Sequence, residues 1–257
     1  MQRYFLRLSY KGSGYAGWQL QENATSVQEK LNAALSVLIG RDITTTGCGR
    51  TDTGVHATCF YAHLDLEAPE TDPDRFIYKL NAILPNDIAV QELLPVTEQA
   101  HARFDARKRT YEYLITHEKN PFLRDLTYFL PGSADIVMMN KACKHLLQTT
   151  DFTCFSKTHS GTINPICTIS HAVWEERDGI LVFTISANRF LRGMVRAVVG
   201  TLLQVGNGRR EVDSVKELIA SGDRSLAGAS VPACGLYLCE VEYPYLINPG
   251  KATIFEL

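Results

Sequence analysis

The sequence predicts a mixed α/β or α+β protein made of two similar lobes. Three observations carry this expectation. Stretches alternating apolar and polar residues, as half-buried strands do, are interleaved along the chain with stretches whose apolar residues recur every three to four positions, as helices do. The same order of elements returns in the second half. No Gly/Ser-rich linker or low-complexity tract interrupts the chain. The lobes are expected at residues 1–105 and 106–257, joined near Glu98 to Arg107, and 257 residues suffice for sizeable cores in both.

Residues 4–10 alternate and read as the first strand. Ser26-Val27-Gln28-Glu29 reads as a capping box, in which the serine accepts from the first turn and the glutamate reaches back. Val27, Leu31, Ala34, Leu35 and Leu38 share one helical face, and Gly40 suits the stop. Residues 43–46 and 58–66 read as strands around a loop at 47–57. Asp72-Pro73 starts a helix with Pro at its first position, and Phe76, Ile77, Leu80, Ile83 and Leu84 supply its apolar face. In the second half, residues 110–116 read as a strand and 140–148 as a helix. Residues 166–175 and 180–187 read as a hairpin about Arg177-Asp178-Gly179, since Asp-Gly is a strong hairpin turn. Residues 191–205 and 212–220 read as helices, and 235–243 as the last strand.

Apolar residues make up 45% and charged residues 21%, an ordinary soluble composition. The net charge of −2 excludes a protein that is basic all over, yet a local basic stripe still suffices for nucleic acid. No long apolar stretch follows Met1-Gln2-Arg3-Tyr4, so no secretory signal is expected. No run reaches the roughly 18 apolar residues of a membrane span, so no membrane association is expected. The seven cysteines are odd in number and include no Cys-x-x-Cys pair, which points to reduced thiols in the cytoplasm rather than disulfides or zinc.

Chemistry concentrates in Gly49-Arg50-Thr51-Asp52-Thr53-Gly54-Val55-His56-Ala57. Glycine permits positive φ and close approach of backbone to a ligand, and a loop hung between strands presents side chains well. Taken alone, such a stretch is more often a turn than a site, and His56 reads as structural. The wider sequence decides otherwise. Gly-Arg-Thr-Asp-x-Gly-Val-His-Ala resembles the signature of the TruA-type tRNA pseudouridine synthases, and the likeness runs almost end to end. It includes Tyr10-Lys11-Gly12, Tyr15-Ala16-Gly17-Trp18-Gln19, Arg103-Phe104-Asp105-Ala106, Tyr111-Glu112-Tyr113, Asp151-Phe152-Thr153-Cys154-Phe155, Phe190-Leu191-Arg192-Gly193-Met194-Val195-Arg196 and Pro232-Ala233-Cys234-Gly235-Leu236. Cys48, Thr53 and Val231 depart from the alanines common there.

The resemblance implies an α+β pseudouridine synthase fold of two similar α/β lobes with joined antiparallel sheets and a basic cleft between them. It implies an isomerase that converts uridine to pseudouridine on the 3′ side of the tRNA anticodon stem-loop (positions 38, 39 or 40), working as a homodimer on tRNA. Asp52 then matches the covalent nucleophile, a role that splits one hard step into easier ones. Arg196 matches its ion-pair partner, since a nearby cation offsets the cost of desolvating a carboxylate. On periodicity alone Arg196, four residues from Arg192, reads as a solvated helix charge. Tyr111 matches the pocket aromatic that stacks on the uracil or moves a proton, though alternation puts Tyr113 on the same face. Arg50 matches the residue that holds the opened position. Arg109 and Arg192 belong to clusters, with Arg103, Arg107, Lys108, Arg189, Arg209 and Arg210, that suit a phosphate-tracking stripe. No cofactor is implied and no metal-ligand spacing stands out.

Two other readings start from the same residues. Asp52-Thr53-Gly54 spells the Asp-Thr-Gly of aspartic proteases, which need two such carboxylates; no second copy occurs. A non-catalytic RNA-binding module of two lobes would carry a basic-aromatic strand consensus, which is absent.

Overall fold

The computed structural model describes residues 1–157 and 164–246. The chain divides into two units, Met1–Arg107 with the closing segment from Tyr237, and Lys108–Leu236. This differs from lobes at 1–105 and 106–257 chiefly in the closing strand, which returns to the first unit. Within that unit it pairs in parallel with a strand, Tyr237 opposite His56 and Leu238 opposite Ala57. Periodicity reveals a strand but not its neighbour.

In the first unit, β1 (Gln2–Tyr10) runs antiparallel to both β3 (His56–Leu66) and β4 (Ile88–Val96), while β2 (Thr46–Gly47) pairs with β3. Helix α1 (Val27–Ile39) carries the expected capping box and ends at Gly40 in the left-handed conformation. Its Val27, Leu31, Ala34 and Leu35 are buried. Helix α2 (Pro73–Ile83) starts at Asp72, whose carboxylate accepts from the Arg75 amide, and buries Phe76 and Leu80. Ile83, expected on that face, is exposed. Asn81 of α2 holds the backbone of β4 at both polar groups: its Nδ2 donates to the Val90 carbonyl and its Oδ1 accepts from the Val90 amide, each at 2.8 Å.

Two expectations fail here for identifiable reasons. Residues 43–46 give only the two-residue β2, because α1 side chains take the backbone groups a strand would have used. Ser36 Oγ accepts from the Ile43 amide and Asn32 Oδ1 from the Thr45 amide. β4 was not expected at all. Its alternation breaks at a register shift opposite Arg7 and Leu8, and Pro95 reads against a strand, although proline is tolerated on an outermost one.

In the second unit, β5 (Lys108–Thr116) and β7 (Ile169–Arg177) flank β8 (Ile180–Ala187), both antiparallel, and β6 (Tyr128–Phe129) adds a short parallel pairing to β5. β8 is buried along its whole length. The β7–β8 turn holds Asp178 at φ 50° and Gly179 at φ 75°, the two positive angles of a type I′ hairpin. Helix α3 (Ile136–Leu147) starts earlier than periodicity suggested, because Asp135 caps it by accepting from the Met138 amide. Asn140 repeats on β7 what Asn81 does on β4, donating to the Trp174 carbonyl and accepting from the Trp174 amide. Helix α4 (Met194–Gly206) begins only after Gly193, and α5 (Ser214–Ser221) and the closing strand β9 (Leu236–Glu242) follow. With antiparallel pairing dominant in both units, the class is α+β.

One buried group gives the first unit a pH signature. His63, on the face of β3 opposite Phe5 of β1, is 8% exposed, and its Nδ1 accepts from the Ala102 amide at 3.1 Å. Burial, aided by the charges of Arg3 and His101, lowers its pKa from 6.5 to about 4. The unfolded chain therefore takes up this proton at higher pH than the folded one does. His63 contributes full stability above pH 6.5, and that contribution is lost as pH falls towards about 4. Denaturant midpoints across this window should decline, and His63→Asn, which keeps an acceptor for Ala102 without a titrating ring, should flatten the decline. An equal slope in the variant would contradict the assignment.

Candidate active site

The loop bearing Asp52 is built by backbone lying on backbone. The segment before α1 crosses the loop so closely that a Cβ on Gly17 would fall 2.2 Å from the Thr51 carbonyl oxygen, and Gly17 itself sits at φ 90°. A Cβ on Gly12 would meet the Val55 oxygen at 1.9 Å. Only glycine fits either crossing. Hydrogen bonds then fix the register: the Gly54 amide donates to the Tyr15 carbonyl, and the Val55 amide closes a turn on the Asp52 carbonyl.

Thr51 is the fastener beside Asp52. Its hydroxyl accepts from the Trp18 amide at 3.1 Å and shares a hydrogen bond with the Tyr10 hydroxyl at 2.9 Å. Beneath it Trp18 stacks on Phe60 at 4.1 Å, with Tyr10 against the same ring. Tyr15 donates to Asp87 Oδ1 at 2.5 Å, and burial together with that carboxylate raises the phenol's pKa. His56, which taken alone reads as structural, has two contacts in this frame. It is buried, accepts at Nδ1 from the Gly12 amide and stacks on Tyr237 at 4.6 Å. Within this frame Asp52 is half-buried and Arg50 is exposed.

The second unit holds the other expected residues. Tyr111 on β5 is half-buried and meets the edge of Phe190 at 5.2 Å. Tyr113 is fully buried and donates to the Pro232 carbonyl at 2.8 Å, so the structure separates two tyrosines that alternation could not. Arg196 on α4 donates through Nε to the Val231 carbonyl at 2.7 Å, and the Val231 amide donates back to the Arg196 carbonyl. This two-way tie exists because Gly200, a turn further along α4, lets the chain at Ala229 approach; a Cβ there would lie 1.9 Å from the Ala229 oxygen. Arg109 donates to the Asn188 carbonyl and Arg210 to the Leu226 carbonyl. Arg103, Arg107, Arg189, Arg192 and Arg209 are exposed.

Sequence reasoning missed the supports: Thr51 as an anchor, the Tyr15–Asp87 bond, Phe190 beside Tyr111, and the Val231 carbonyl that holds Arg196. Thr51, Tyr15 and Phe190 each lie inside a recognised motif, but nothing in the motif shows what each of them holds. Asp151, in another recognised motif, turns out to organise its own turn by accepting from the Thr153 amide and hydroxyl. All seven cysteines are free thiols; burial pushes those of Cys143 and Cys154 up to about 12. Among the described residues no helix is long and apolar enough to cross a membrane, and no three His, Cys, Asp or Glu side chains gather as a metal site.

A sequence profile described as tRNA pseudouridine synthase matches residues 8–105 and 142–244, spans that take in the Asp52 loop and the Arg196 helix. The chain belongs to the tRNA pseudouridine synthase family. Among curated relatives, a tRNA pseudouridine synthase A of Parabacteroides distasonis is 48% identical over 249 residues, covering 97% of this chain and 99% of the relative. One from Bacteroides thetaiotaomicron is 49% identical, covering 95% and 91%, and one from Streptococcus thermophilus is 40% identical, covering 95% and 100%. The protein is accordingly an isomerase of this family. The aspartic protease and the non-catalytic RNA module are set aside.

The fastening of Thr51 has a measurable consequence for a pseudouridine synthase. Thr51→Val keeps the shape but leaves the Trp18 amide without its acceptor, costing about 1–3 kcal/mol. Turnover should fall roughly tenfold or more, because the loop shifts from its fastened position. Thr51→Ser should restore turnover. A Ser variant as slow as the Val variant would mean the methyl, not the hydroxyl, matters.

Proposed function

We propose that this enzyme converts uridine to pseudouridine on the 3′ side of the tRNA anticodon stem-loop, at positions 38, 39 or 40, with Asp52 as nucleophile. The observation that carries the reading is the double glycine crossing that clamps the Asp52 loop. A clamped, half-buried carboxylate is pre-positioned, and positioning supplies much of what a covalent catalyst contributes. In the reaction the N1–C1′ bond breaks, the uracil turns and C5 bonds to C1′; C5 loses a proton and N1 gains one. The carboxylate forms a transient bond to the nucleoside and leaves again, so nothing is consumed and no cofactor enters.

Arg196 pairs with Asp52 in this scheme. Its anchoring on the Val231 carbonyl supports this, because an arginine held at Nε commits its remaining donors in one direction. Tyr111 stacks on the flipped uracil, supported by its half-exposed ring buttressed by Phe190. Arg50 holds the position that the base vacates. Arg109 and Arg192 contact phosphates. The enzyme works as a cytoplasmic homodimer; the sequence resemblance supports the dimer, and the free thiols suit a reducing compartment.

The deciding experiment incubates the enzyme with unmodified tRNA and maps pseudouridine by position. Product at 38, 39 or 40 is expected; product confined to another arm would overturn the site preference. Asp52→Asn should abolish product while binding tRNA near the wild-type affinity. Pseudouridine from that variant, with deamidation excluded by mass spectrometry, would remove Asp52 from its role. Tyr111→Phe should stay active and Tyr111→Ala should not, if stacking dominates. Loss in both would assign the hydroxyl a part in proton transfer.

A further inference from the structure

One recognised motif has no part in the scheme above: Arg103-Phe104-Asp105-Ala106, in the stretch between β4 and β5. In the structure this segment is a tightly tied turn that holds an aromatic ring out into solvent. The ties are numerous. The His101 amide donates to Asp105 Oδ2 at 2.7 Å and the Asp105 amide returns to the His101 carbonyl. Tyr245 donates to the same carboxylate oxygen, and Tyr243 donates to the Ala102 carbonyl. Arg3 donates to the Ala100 carbonyl, and the Ala102 amide donates to His63. His101 Nδ1 accepts from the amides of both Arg103 and Phe104. The ring of Phe104 leans on the imidazole of His101 at 4.3 Å, and the Arg103 guanidinium stands 5.7 Å from the ring centre. Yet Phe104 remains 74% exposed.

Asp105 in this turn is engaged by the His101 amide and Tyr245, and Asp65 on β3 by Arg3 at 2.7 Å. The exposed charges next to Phe104 in sequence are Arg103 and Arg107. A rigid aromatic face beside guanidinium groups fits one chemistry well: an unpaired nucleobase, stacked on the ring, with its flanking phosphates on the arginines.

We propose that Phe104 and Arg103 form a stacking platform for an unpaired base of the RNA substrate, separate from the Asp52 loop. The platform adjoins His63 through His101, whose rings lie 4.8 Å apart. The Asp52 loop adjoins His56, at the other end of β3. His56 and His63 stand on the order of 20 Å apart along β3, and on that spacing we take the base gripped here to be other than the base that reacts. The ring contributes to holding and registering the RNA, and because every base has a π-face the grip is tolerant of sequence. The inference rests on tRNA being the substrate.

Two measurements test it. With unmodified tRNA, Phe104→Ala should raise Kd and KM about 5- to 150-fold, the range for losing one stacked base, with kcat at saturation unchanged. Phe104→Leu should be as weak as Ala, and Phe104→Tyr close to wild type. In the second measurement Phe104→Trp reports directly: its indole fluorescence should be quenched on adding tRNA, against the steady background of Trp18 and Trp174, each 1% exposed. Thermal unfolding should be unchanged in all four, given the exposure of the side chain. Full affinity in Phe104→Ala, or rescue by Leu, would overturn the platform while leaving tRNA as substrate. A change in sedimentation of Phe104→Ala without RNA would overturn it in favour of a protein contact. A wild-type enzyme that neither binds nor modifies tRNA would overturn both readings.

Discussion

The first unit depends on two strands of backbone being able to touch. Ordinary residues keep chains apart by the bulk of Cβ, and hydrogen-bonded neighbours sit about 4.8 Å away. At Gly17 and Gly12 the chain ahead of α1 lies directly on the Thr51–Val55 backbone, closer than any side chain allows. Everything nearby follows from that closeness. Thr51 reaches both Tyr10 and Trp18, the Gly54 amide reaches Tyr15, and His56 reaches the Gly12 amide. The backbone that carries Asp52 is thereby held in register with the segment ahead of α1.

The second unit solves a related problem by the same means. A helix arginine normally sweeps through many rotamers and forfeits that entropy when it forms an ion pair. Arg196 has already given much of it up, since the close approach at Gly200 brings Val231 within reach of its Nε and its carbonyl. Tyr111 is steadied by Phe190 in the same way. The expected functional groups in both units are thus held by residues with no chemistry of their own.

Local features were legible in the sequence and distant ones were not. The capping box at Ser26 and Glu29 and the Asp178-Gly179 hairpin involve residues a few positions apart, and both were read from composition and order. Residues 43–46 misled because Asn32 and Ser36, on the preceding helix, satisfy their amides. β4 hid behind Pro95 and a register shift. In the site, the glycine-framed Asp52 loop was recognisable. The partner of Gly17 lies far along the chain, and nothing in a period of two or of 3.6 could announce it. The Pro232 carbonyl that takes up the Tyr113 hydroxyl is likewise a distant partner that alternation could not show; Tyr111 was matched by resemblance alone. The return of the closing strand to the first unit was invisible for the same reason: it is a long-range pairing.

The paired asparagines of the two units have a consequence for the protein outside its chemistry. Strands at the rim of a sheet expose amide and carbonyl groups that invite another chain to add on, and that invitation is how many sheets aggregate. Asn81 and Asn140 each answer one residue's invitation with a side-chain amide that carries both a donor and an acceptor, as a peptide group does. Each acts as a single-residue imitation of the missing neighbouring strand, supplied from a helix that cannot itself extend a sheet. A tract of β4 or β7 is thereby closed to foreign strands without a charge or a proline at the contact. For a protein whose net charge is only −2, with little electrostatic repulsion to keep copies apart, such a plug works against misassembly.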